Sequence, residues 1–167
     1  MPQKQRRYTL KAKEAKQALT QASEKLKLNL EGIFGAKANV EIVEADAGDI
    51  LLINGKPTLF KAGNAVLPTL NAAEILACLP KAVVDMGAIP HVCNGADIMA
   101  PGIVRYEGEF GKGDIILVVD VKHGKPLAIG ETLLASEEAK NTRQGVAIRN
   151  LHYVGDKIWN LTKAITP

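Results

Sequence analysis

Cysteine is scarce in this sequence of 167 residues: Cys78 and Cys93 are the only two. Neither belongs to a CxxC pair, so they make neither a disulfide framework nor a zinc site. They read as two small buried apolar residues. Aromatic side chains are sparse as well, seven in all, with none in an RNP-like cluster. That disfavours the stacking platforms of RRM or OB single-strand binders. No apolar run approaches the roughly 20 residues needed to cross a bilayer, and no apolar segment follows Met1-Pro2-Gln3-Lys4 as in a secretory signal. The expectation is a cytoplasmic protein with no membrane partner.

Catalytic motifs are missing too. There is no GxSxG elbow, no HExxH and no EF-hand loop. Gly111-Lys112 invites comparison with a phosphate loop, but Tyr106 stands where the pattern needs glycine and Gly113 where it needs Ser or Thr. A turn between strands is the better reading. His91 and Cys93, two residues apart on a short helix, do not face each other, and His123 and His152 lie in unrelated contexts. These absences point away from an enzyme, and no cofactor or metal is expected.

What is present begins with charge. The net formal charge is only +3, yet residues 1–31 hold Lys4, Arg6, Arg7, Lys11, Lys13, Lys16, Lys25 and Lys27 against Glu14, Glu24 and Glu31. A basic segment on a near-neutral body fits contact with a polyanion; it equally fits the solvated face of a surface helix. Ala15, Ala18, Leu19, Ala22 and Leu26 recur at helical spacing over 12–26. A short helix is expected at Leu30 to Phe34, stopped by Gly35.

The period then drops to two. Val40 to Val43, Ile50 to Ile53, Thr58 to Phe60 and Val66-Leu67 read as strands, with Asn54-Gly55 as a type I′ hairpin turn. Pro57 implies an edge or strand-start position. Asn71 and Glu74 resemble a capping box for a helix over 72–79, which Pro80 ends. Beyond it lie a strand at Ala82 to Val84, a Pro90-interrupted helix from Met86 to Val92, and strands at Ile115 to Val121, Leu127 to Ile129, Val146 to Ile148, Leu151 to Val154 and Ile158 to Leu161. Ser136 is placed as the cap of a brief helix. Many short strands without βαβ alternation read as a helix on a small antiparallel sheet, followed by a small barrel or sandwich.

Val84-Asp85-Met86-Gly87-Ala88 and Asn94 to Ile103, with its Ala100-Pro101-Gly102-Ile103 turn, resemble the opening of a PUA domain, the type found in pseudouridine synthases and archaeosine transglycosylases. Gly113-Asp114 followed by Ile115 to Asp120, and Leu127-Ala128-Ile129-Gly130, are similar to that family's later strands. Leu52 to Pro57, Leu67 to Leu70 and Asn150 to Trp159 further resemble the malignant-T-cell-amplified-sequence family and its archaeal relatives. The resemblance implies an α+β chain: an N-terminal α/β pre-PUA domain over 1–79 packed on a C-terminal PUA pseudo-β-barrel over 80–167. It implies a non-catalytic translation factor that binds structured RNA, either small-subunit rRNA or the tRNA 3′ end, together with a translation-factor protein partner and no DNA.

Residues and resemblance agree on the RNA surface. A loop of small residues lets a phosphate–sugar backbone approach the main chain. Gly95, Ala96, Met99, Ala100, Pro101 and Gly102 are the expected groove, with Arg105, Lys112, Arg143 and Arg149 as phosphate contacts. Asp97 is expected to brace the loop, since a carboxylate repels phosphate. Two other functions fit the same residues: an accessory subunit delivering tRNA or rRNA to a modification enzyme, and a protein-interaction module whose basic helix meets an acidic partner.

Overall fold

The computed structural model describes residues 5–165; Lys4 of the basic segment lies outside them. The chain forms two compact units, one of residues 5–75 with 157–165 and one spanning Leu76–Asp156.

The first unit opens with strand β1 (Gln5–Thr9), helices α1 (Ala12–Leu26) and α2 (Leu30–Phe34), and strands β2 (Val40–Ala45), β3 (Gly48–Ile53), β4 (Lys56–Ala62) and β5 (Ala65–Pro68). The five strands form an antiparallel sheet in chain order. Helix α1 buries Ala18, Ala22 and Leu26, the stripe its spacing predicts, and its inner face meets β5. At the β3–β4 hairpin Asn54 and Gly55 both have positive φ, 52° and 85°, as a type I′ turn requires. Pro57 is not on an edge. It is the second residue of β4, which pairs on both sides, and the register slips beside its partner Leu52. That irregularity accommodates the missing N–H.

The second unit contains β6 (Lys81–Val84), a 3-10 turn Met86–Ala88 leading into α4 (Ile89–Val92), β7 (Ile98–Met99), a second 3-10 turn Ala100–Gly102, β8 (Ile103–Glu107), β9 (Ile115–Asp120), β10 (Pro126–Thr132), α5 (Ser136–Asn141) and β11 (Val146–Tyr153). The short helix α3 (Ala73–Leu76) precedes them, and α6 (Lys157–Ile165) follows. The strands join in the order β7-β11-β10-β9-β6-β8, with β6 and β9 parallel and every other pair antiparallel.

The two edge strands of this sheet, β7 and β8, are consecutive in the chain and only Ala100–Gly102 separates them. Four Cα steps reach at most about 14 Å. Six strands laid flat would hold their edges roughly 24 Å apart. The sheet must therefore curl until its edges approach, which makes the pseudo-barrel. Ala82, Val84, Val92, Ile98, Phe110, Ile116, Val118, Ala128 and Ile148 fill its interior. β9 is buried at every position, as its unbroken apolar run demands.

Several local expectations differ from the structure. Residues 157–165 are helical, not a strand. Ile158, Leu161, Thr162 and Ile165 share a helical face, Thr162 Oγ donates to the Ile158 carbonyl at 2.7 Å, and the Ile158 side chain reaches Gly48 of β3. The chain thus returns to the first unit after Asp156, so the compact units depart from a single division at 79/80. Ser136 lies inside α5 rather than capping it, and its hydroxyl donates to Glu109 at 2.7 Å. Helix α3 is shorter than the 72–79 segment, and 146–153 is one strand. Cys78 is exposed, not buried; Cys93 is half-buried, and burial pushes its thiol pKa up.

Curling depends on close approach at Gly130. A Cβ there would lie 2.3 Å from Ile148 Cγ2 and 2.9 Å from the Arg149 carbonyl oxygen, at the irregularity between β10 and β11. Gly130→Ala is expected to destabilise the protein by about 1–3 kcal/mol in denaturant titration. Gly102→Ala, whose Cβ would meet Ala88 at an ordinary 3.4 Å, should leave the midpoint nearly unchanged.

Candidate functional site

The segment between α4 and β8 is held from behind by one side chain. The Asn150 carboxamide nitrogen donates to the carbonyls of Val92 and Ala96, both at 3.0 Å. Because both partners are acceptors, the nitrogen must be the atom that faces them. The Asn150 main-chain N–H donates in turn to Asp97 Oδ1 at 2.9 Å. Asp97 therefore braces the loop. Gly95 is required for two reasons. Its φ is +90°, and a Cβ would press to 3.0 Å from the Tyr153 hydroxyl. Main-chain bonds fix the ends of the closing turn: Ala100 N–H to the Gly145 carbonyl at 2.8 Å, and Asp85 N–H to the Gly102 carbonyl at 3.0 Å.

Two grooves flank this turn. One, of about 670 Å³, is lined by Asp85, Gly87, Ala88, His91, Val92, Ala96, Asp97, Ile98, Met99, Pro101, Gly102 and Val146. Met99 and Val146 leave 47% and 40% of their surface exposed here, so the wall is apolar and its charged side chains are acidic. The other, of about 510 Å³, is lined by Ala100, Pro101, Ile103, Val104, Arg105, Tyr106, Ala139, Lys140, Thr142 and Arg143. Its charged lining residues are all cationic. Pro101 lines both grooves.

The residues read from sequence divide accordingly. Ala96, Met99, Pro101 and Gly102 meet in the apolar groove, while Arg105 and Arg143 meet in the basic one. Ala100 touches the second groove but is itself core, 8% exposed. Gly95 lines neither groove and packs against Tyr153. Lys112, exposed in the β8–β9 turn, and Arg149, exposed on β11 opposite Glu131, line neither groove. Sequence reasoning missed Lys140 and Asn150. Nothing in the sequence ties Asn150 to a loop more than fifty residues earlier.

The basic N-terminal segment is weaker than its charge count. Arg7 pairs with Glu41 at 2.9 Å and Arg6 with Glu44 at 3.4 Å across the β1–β2 ladder. The hydrogen bond from Arg7 also holds the Glu41 carboxyl below its ordinary range. Lys11, Lys13 and Lys16 remain exposed on and beside α1. A larger cleft of about 740 Å³ lies along α1, but Lys16 and Lys37 share it with Glu24 and Glu31. Its size is not matched by any single sign of charge. His152 is 1% exposed and bonded through Nδ1 to Asp156 at 2.8 Å. No group of three or more His, Cys, Asp or Glu among the described residues is placed to hold a metal ion.

Removing the brace should loosen the loop selectively. Asn150→Ala removes both hydrogen bonds, leaving the Val92 carbonyl with the Gly95 N–H at 3.1 Å, and is expected to cost about 1–3 kcal/mol. Hydrogen exchange should quicken at amides 94–97 while β9 stays protected; uniform quickening would contradict the assignment.

The PUA domain family model matches residues 80–154, and that of DUF1947, a domain of unknown function, matches 6–74. An uncharacterized protein of Methanocaldococcus jannaschii is 42% identical, over 93% of this chain and 96% of its own. Translation machinery-associated protein 20 of Schizosaccharomyces pombe is 30% identical, over 86% of this chain and 83% of its own. A solved PUA-domain structure from Aeropyrum pernix K1 superimposes with a TM-score of 0.85 at 25% identity, covering 98% of this chain and 94% of that one.

Proposed function

We propose a function from one premise: the chain belongs to the family in which a DUF1947 domain precedes a PUA domain, and which includes translation machinery-associated protein 20. On that premise the protein is a non-catalytic RNA-binding factor of the translation apparatus. It acts on the small ribosomal subunit or the tRNA 3′ end.

The observation that carries this reading is the setting of the 94–102 loop. It is exposed between two grooves, one of which gathers Arg105, Lys140 and Arg143. Phosphate contacts position a nucleic acid without demanding sequence, and cations on a fixed scaffold supply them. The other groove offers an apolar wall edged by Asp85 and Asp97, which disfavours phosphate and suits sugar and base surface. The kinship with translation machinery-associated protein 20 runs through both units rather than the PUA region alone. That extent favours a translation factor over a PUA module borrowed by an enzyme.

The test is binding of the purified protein to small ribosomal subunits, with and without initiator tRNA, over a salt series. Saturable binding should weaken steeply as salt rises, and Arg105→Glu should weaken it by about tenfold or more. Binding to free tRNA but not to subunits would favour delivery of RNA to a modifying enzyme. An absence of RNA binding would overturn the reading.

A further inference from the structure

Strand β8 is an edge of its sheet: β6 takes one side, and no strand among the described residues lies on the other. Its outer side instead faces α5 across the basic groove, which both elements line. Ile103, Val104, Arg105 and Tyr106 of β8 line this groove together with Lys140 and Arg143, so three cations share one space. We propose that this groove is a phosphate-backbone track flanking the small-residue loop, in which Lys140 and Arg143 hold phosphodiester oxygens of an RNA strand. The inference rests on the RNA-binding reading above and deepens it.

The cations are presented in two ways. Lys140 Nζ lies 3.5 Å from Glu109 Oε1, while Glu109 Oε2 accepts from the Ser136 hydroxyl at 2.7 Å. Arg105 lies 3.2 Å from Glu107. Neither carboxylate lines the groove, yet each lies within 3.5 Å of a cation that does and occupies that cation until phosphate replaces it. These pairs are solvent-exposed, with side chains 45–75% accessible. Such pairs are weak and readily exchanged for phosphate. Arg143 is exposed at the end of α5 and has no ion-pair partner among the described residues. The Ser136 hydrogen bond, then Lys140, holds the Glu109 carboxyl below its ordinary range, so it stays ionised as a tether at neutral pH. The opposite groove carries Asp85 and Asp97, so a strand crossing Pro101 keeps its phosphates on the β8–α5 side.

The test measures affinity of the full chain for a structured RNA hairpin with a single-stranded tail, by fluorescence anisotropy over a salt series. Lys140→Ala and Arg143→Ala should each reduce the slope of log affinity against log salt by about one. Lys122→Ala, the same charge change on the β9–β10 turn outside the groove, should not. Glu109→Gln should raise affinity a few-fold by releasing Lys140; weakened binding would mean that Lys140 merely supports the Ser136–Glu109 contact, and the track would fall. Equal slopes for Lys140→Ala, Arg143→Ala and Lys122→Ala, with RNA still bound, would defeat the track and leave RNA binding standing. A wild-type protein that binds no RNA would defeat both.

Discussion

Three residues close the C-terminal unit. Ala100–Gly102 join the two strands that stand at opposite edges of a six-stranded sheet, and so short a link forces the sheet to curl. The two grooves of this unit follow from that closure. The turn cannot be buried in the middle of a sheet, so it stands at the seam, with α4 on one side and α5 on the other. Its proline becomes a ridge with a groove to either side. Gly130 admits the approach of β11 to β10 that the curl requires, and Asn150 on β11 ties the preceding loop in place. One strand thus both closes the barrel and positions its outer surface.

Seen this way, the small residues of the loop have different duties. Gly95 is fixed by backbone conformation and by Tyr153 beneath it; Ala100 belongs to the core; Gly102 keeps the apolar groove open beside Ala88. The charge distribution is equally uneven. The N-terminal arginines pair with cross-strand carboxylates, and the cations beside the turn are held by exposed pairs or by none. A +3 protein can still present one concentrated cationic groove.

Much of this was legible in the sequence. The amphipathic spacing of α1, the Asn54-Gly55 hairpin, the buried run of β9 and the Ala-Pro-Gly turn each carry a local signal that tertiary structure does not override. What escaped was non-local. Ile158 to Leu161 is a short apolar run that fits either period, and packing against the first unit makes it helical. Strand β1, exposed throughout, has no hydrophobic alternation to betray it and is held by its ladder to β2. Lys112 and Arg149 look like phosphate contacts by proximity in sequence, yet they lie off both grooves. Lys140 looks like the end of a minor helix, yet it lines one.

The central claim is that RNA meets this chain at the seam of the C-terminal unit rather than on the lysines of α1. Deleting the N-terminal segment would not test it, since α1 buries Ala18, Ala22 and Leu26. The direct measurement is photocrosslinking of the intact protein to small-subunit RNA, with the adducts located by peptide mass spectrometry. Adducts concentrated over residues 96–106 and 139–143 would bear the claim out. Adducts concentrated around Lys11, Lys13 and Lys16, with the seam unlabelled, would contradict it.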